Sequence, residues 1–132
     1  MKTYAFRLHR GADLLQSIRT FSAEQHIQAG FIGACVGCVS TAKIRDAGGI
    51  NIRRLDEPME IVSLTGTVSA ERCHLHISFS RRDLSTVGGH LVEGCLINTT
   101  AEIVLCELQE VTFHAIFDPQ TGYDELEITK DP

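Results

Sequence analysis

The chain has 132 residues, of which 43% are hydrophobic and 22% charged, with a formal net charge of −5. That length suits one domain, residues 1–132, able to bury a core without disulfide staples. The acidic balance argues against autonomous nucleic-acid binding by phosphate neutralisation, and no stretch approaches the run of about 20 apolar residues that spans a bilayer.

The N-terminal segment lacks the apolar region and small-residue cleavage site of a secretory signal, so the expected location is the cytoplasm. Residues 2–8 alternate as a first strand, with Tyr4, Phe6 and Leu8 on one face. Asp13 then precedes Leu14, Leu15, Ile18 and Phe21 at helical spacing, which predicts a helix over roughly residues 12–27, with Gly30 as a stop. After it everything reads as strand. Residues 30–45 are rich in small and β-branched residues, with Gly33 and Gly37 marking bulges or close backbone approach. Residues 46–49 form a turn. Residues 59–68 predict a strand with Val62, Leu64 and Val68 on one face.

Alternation is cleanest at residues 72–80: Cys73, Leu75, Ile77 and Phe79 point one way, and Arg72, His74, His76, Ser78 and Ser80 the other. Residues 81–86 connect to a returning segment whose Gly88-Gly89 pair is expected to let the backbone bend and approach its neighbour closely before His90. Strands at 95–108 and 111–117, a turn at 118–122 and a short last strand with Leu126 and Ile128 complete the chain; the tail from Thr129 is expected to fray. The fold class is therefore α+β: a curved antiparallel sheet of about seven strands with one main helix. One helix cannot cover so much sheet, so apolar strand surface is left for another subunit and a homo-oligomer is expected.

Chemistry concentrates on the histidines. His74 and His76, two apart on a strand, project from one face, and His90 on the returning strand is the natural third member. Neutral imidazoles are the commonest metal ligands, and three of them suit a tetrahedral zinc site with a fourth corner for water or a carboxylate. His-x-His on a polar strand face is equally the pattern of solvated residues, and spacing alone leaves both readings open. Glu102 shares a face with Asn98 and Thr100 in a polar patch of an otherwise apolar strand, which makes it a candidate ligand, orienting group or general base. Glu93 is a weaker alternative. The five cysteines, Cys35, Cys38, Cys73, Cys95 and Cys106, lie mostly in apolar runs and read as reduced core residues, and Cys35 and Cys38 on one strand face opposite ways.

The ordered segments Glu60-Ile-Val-Ser-Leu-Thr-Gly-Thr-Val68, His74-Leu-His-Ile-Ser78, Gly88-Gly-His-Leu91 and Thr99-Thr-Ala-Glu102 resemble the PPC domain, conserved in plants and prokaryotes. The resemblance extends over nearly the whole chain. It implies a homotrimer and, through plant nuclear proteins that carry the domain beside AT-hooks, a DNA-binding or assembly role. No Arg-Gly-Arg-Pro hook core is present here; the one Arg-Gly is Arg10-Gly11. The PPC fold is similar to that of acetolactate decarboxylase and related zinc hydrolases. By that likeness His74, His76 and His90 would hold zinc with Glu102 nearby, giving a hydrolase- or decarboxylase-like enzyme. A small-molecule-binding trimer without metal is a further reading.

Overall fold

A computed structural model describes residues 1–132 as nine strands and one helix. In chain order these are β1 (Lys2–His9), α1 (Leu14–Glu24), β2 (Gly30–Arg45), β3 (Ile52–Leu55), β4 (Met59–Val68), β5 (Cys73–Ser80), β6 (Thr86–Leu91), β7 (Leu96–Glu107), β8 (Val111–Asp118) and β9 (Tyr123–Lys130). β3 is the element that sequence patterning did not anticipate. It is four residues long and largely exposed, too short for its alternation to be read.

Seven strands form one antiparallel sheet in the order β1-β7-β2-β4-β5-β6, with β3 beside the end of β2. β6 also pairs back onto β2, through Ile44 opposite Leu91 and Arg45 opposite His90, so β2, β4, β5 and β6 close into a ring. The 16-residue β2 makes this closure possible. Its register slips against β7 between Ile32 and Ala34, Gly37 and Cys38, and Val39 and Thr41. Each irregularity adds local twist, which carries the far end of the strand round to β6.

The inner faces supply the core, with Leu75, Ile77 and Phe79 of β5 meeting Ile97, Ile103 and Leu105 of β7 in one cluster. α1 covers one side of it. Asp13 caps the helix by accepting the Gln16 N–H at 3.0 Å, and its other carboxylate oxygen accepts the Gly94 N–H at 2.7 Å, tying the cap to the β6–β7 connection. Leu14, Leu15 and Ile18 are buried, each contributing about 1.5–3 kcal/mol. Phe21 stacks on Phe6 at 4.1 Å and meets Tyr4 edge-on at 5.4 Å. The helix stops at Glu24, earlier than its apolar spacing suggests, because His26 takes a left-handed turn (φ 53°) that sends Ile27 into the core from outside the helix.

β4 departs from its expected parity. A bulge between Ile61 and Ser63 shifts the register, so Met59, Ile61, Leu64 and Val68 are buried while Val62 is 56% exposed. β8 and β9 form a separate hairpin, joined to the body partly by the Phe113 N–H donating to the Gln28 carbonyl at 2.9 Å. β9 runs on to Lys130, so only the last two residues follow it. Ile116, Phe117, Tyr123 and Ile128 on this arm are exposed. No helix is long and apolar enough to cross a membrane.

Candidate metal centre

Strict alternation along β5 sends Leu75 and Ile77 into the core and turns His74 and His76 to the outer face. Pairing with β4 places Thr67 opposite His74 and Thr65 opposite His76. On the other side β6 sets His90 directly opposite His76. The two glycines before His90 lie inside β6 rather than in a bend. A Cβ at position 88 would stand 2.3 Å from the Ile77 carbonyl oxygen, and one at position 89 would stand 2.6 Å from that of Arg45. Their role is to admit the neighbouring backbones of β5 and β2, which places His90 between them.

The outcome is a triangle of imidazoles. Ring centroids lie 5.1 Å apart for His74 and His76, 5.3 Å for His74 and His90, and 5.5 Å for His76 and His90. One nitrogen from each ring falls within 4.8 Å of the others. Nitrogens sharing a zinc ion at about 2.0–2.1 Å stand about 3.4 Å apart, so the rings would have to turn inward to share one. His74 and His76 reach solvent and His90 is half-buried, at the floor of a cleft of about 640 Å³ that also touches Arg45, Asp46 and Thr65.

The electrostatics favour neutral rings. Desolvation first, and the nearby Arg45 guanidinium second, push the His90 pKa down to about 4. Desolvation followed by the charge of Arg72 lowers His74, with Glu125 of β9 pulling the other way. Two polar atoms of this site are shut off from solvent without a hydrogen-bond partner: His90 Nδ1 and Arg45 Nε. Arg72 Nη2 lies 3.3 Å from His74 Nδ1. A ring that accepts from Arg72 there carries its proton on Nε2, so engaging a metal through either nitrogen displaces Arg72 or moves that proton. The three donors fit a dication: all are nitrogen, two of the rings are held toward the neutral form, and one carries an orphaned buried atom.

Glu102 lies elsewhere. It is exposed on β7, opposite Arg7 of β1 and Val36 of β2, and does not line this cleft of its own chain. The polar patch that drew attention to it is real, but β7 is not a neighbour of β5 or β6 in the sheet. Glu93 is nearer, lining an adjoining groove with His90 and pairing with Arg19 at 3.1 Å. Cys35 and Cys38 are free thiols; burial pushes Cys35 up to about 11, and Cys38 donates to the Asn98 carbonyl at 2.7 Å. His114 is on the arm, 3.2 Å from the Thr129 hydroxyl. Arg45 was not singled out from sequence. Its signal was the Lys43/Arg45 polar parity at the end of an apolar strand, but only the return of β6 places it beside His90.

Comparisons with known proteins agree with this architecture. The chain is 42% identical over 130 residues to "Bifunctional protein GlmU" of a Synechococcus strain, and it spans about a fifth (21%) of that protein's length while using 98% of its own. A hypothetical protein from Salmonella superposes with TM-score 0.94 at 32% identity, covering 98% of this chain and 94% of that one. A candidate DNA-binding protein from Bacteroides thetaiotaomicron gives 0.85 at 26% identity (95% and 91% covered). A metal-containing protein from Archaeoglobus fulgidus gives 0.79 at 30% identity (96% and 94% covered). The model of the Plants and Prokaryotes Conserved (PCC) domain matches residues 1–109, and the chain belongs to that family, the one its ordered motifs resemble.

Proposed function

We propose that this PCC-domain protein binds a zinc-class dication through His74, His76 and His90, at the floor of a small-molecule cleft on a homotrimeric scaffold. The observation that carries the reading is the convergence of three imidazoles from adjacent strands to within 4.8 Å. When bound, such an ion supplies Lewis-acid chemistry toward a carbonyl or phosphoryl oxygen, the basis of a hydrolase- or decarboxylase-like activity. The chain's own contribution is to hold three rings on adjacent strands of one sheet and to line the cleft beside them with Asp46 and Thr65. The metal-containing relative from Archaeoglobus fulgidus lends support. Glu102 enters such a site only if another subunit presents it, since in its own chain it stands apart. Elemental analysis of protein purified without an affinity tag tests the reading. Near-stoichiometric zinc that disappears in the His74→Ala, His76→Ala double variant is expected; metal-free protein that cannot be reconstituted overturns it.

The trimer rests on the exposed apolar side chains of the β8–β9 arm and on Val36 and Val62 of the sheet. Light scattering should give a trimer that Phe117→Lys with Ile128→Lys disperses; a wild-type monomer overturns the assembly. DNA binding, suggested by the Bacteroides relative, has less support as a direct activity. Arg19, Arg53, Arg54 and Arg81 are each paired with a carboxylate, and the net charge is −5. A role on DNA would then run through assembly or a partner, and the absence of any low-salt gel shift by intact oligomer would exclude the direct form. Five free thiols fit a reducing compartment such as the cytoplasm.

A further inference from the structure

Two guanidiniums flank the histidine triangle, and neither has a partner of opposite charge. Arg45 ends β2 directly across from His90, and Arg72 stands at the head of β5 beside His74. Neither takes part in an ion pair, in contrast to Arg19, Arg53, Arg54 and Arg81. Arg45 Nε is closed off from solvent with no acceptor, a costly state for a charged donor, while the Arg45 side chain lines the cleft beside the histidines. The acidic groups at the rim do not fill the role. Asp46 faces Arg53 at 3.9 Å and the Gly48 N–H at 3.2 Å, while Asp124 and Glu125 form the outer wall, with Glu125 acting on His74. A dication on the three imidazoles would add further positive charge beside two guanidiniums without ion pairs, Arg45 lining the cleft and Arg72 the adjoining groove.

We propose that the cleft takes a small organic anion whose carboxylate or phosphate group is gripped by Arg45, assisted by Arg72, while the rest of the molecule lies over the histidines. The planar fork of Arg45 matches either oxyanion, and about 640 Å³ suits a small molecule rather than a polymer. The inference rests on the metal reading for what the anion's other end meets, but the Arg45 grip is separable from it.

The test is isothermal titration of the untagged full chain, zinc-loaded and zinc-free, with glycolate, inorganic phosphate and the uncharged isostere glycolamide. Glycolate and phosphate distinguish a carboxylate from a phosphate ligand. At least one should bind where glycolamide does not, and Arg45→Gln should weaken it about 30-fold or more, with Arg45→Lys restoring part. Zinc content, measured on the same samples, should be unchanged in Arg45→Gln. If that variant loses cooperative unfolding, Arg72→Gln carries the comparison, with a smaller loss expected. Zinc-loaded wild type that binds neither anion, or binds them equally well without Arg45, overturns the anion assignment and leaves the metal reading intact. Wild type that takes up no zinc on reconstitution, yet still binds an anion in an Arg45-dependent way, overturns the metal reading and leaves the anion assignment standing.

Discussion

Replacing His76 with alanine separates metal holding from folding. His76 is exposed on β5, while the core contacts of that strand come from Leu75, Ile77 and Phe79. Removing an exposed side chain of this kind changes the stability of the metal-free protein by no more than about 0.5 kcal/mol. Its imidazole is nonetheless one of only three donors in the triangle. Free zinc at about 100 times its dissociation constant stabilises a folded binder by about 2.7 kcal/mol, which for a domain of this size raises Tm by about 10 °C. Thermal unfolding with and without zinc should therefore show a clear upward shift for wild type and almost none for His76→Ala, from the same metal-free starting point. Equal zinc shifts in the two proteins would refute the assignment of His76 as a ligand. A large drop in metal-free Tm would refute the claim that its role is separate from folding.

Gly88→Ala places a Cβ 2.3 Å from the Ile77 carbonyl oxygen, a main-chain atom that cannot rotate away, and should cost about 1–3 kcal/mol in urea unfolding; an unchanged midpoint would contradict the close-approach argument. Asp13→Ala removes the acceptor of both the Gln16 and the Gly94 N–H groups and should lower stability by about 2 kcal/mol, with Asp13→Asn recovering part; a loss within error would show the cap to be dispensable. Because the His90 pKa is pushed down to about 4 from the usual 6.5, the unfolded chain takes up a proton that the folded chain refuses between those values. Metal-free protein should lose stability as pH falls from about 6.5 toward 4 and level off below, and His90→Phe should flatten that slope; an identical pH profile in the variant would count against a strained neutral His90.

Much of the fold was legible because its elements are locally determined. The β5 segment announces itself by strict alternation, and the same parity that buries Leu75 and Ile77 exposes His74 and His76. The Asp13 cap and the Leu14, Leu15, Ile18 spacing likewise define a helix from contacts within a few residues. Errors arose where backbone pairing adds or removes a residue. The bulge at Ile61/Ser63 reverses the facing of Val62, and the Gly88-Gly89 pair makes the close approach expected of it from inside a strand, without the expected bend.

The sequence by itself thus determined the class of fold, the strand that carries His74 and His76, and the likeness to a family. The tertiary structure alone decided which residues share the site. Bringing Arg45 opposite His90 requires β2 to twist through its irregularities until it meets β6, and leaving Glu102 outside follows from β7 pairing with β1 and β2 instead of β5. Side-chain facing is set by the period of the strand, which is local. Neighbourhood is set by register between strands dozens of residues apart, which depends on every bulge and close approach along the way.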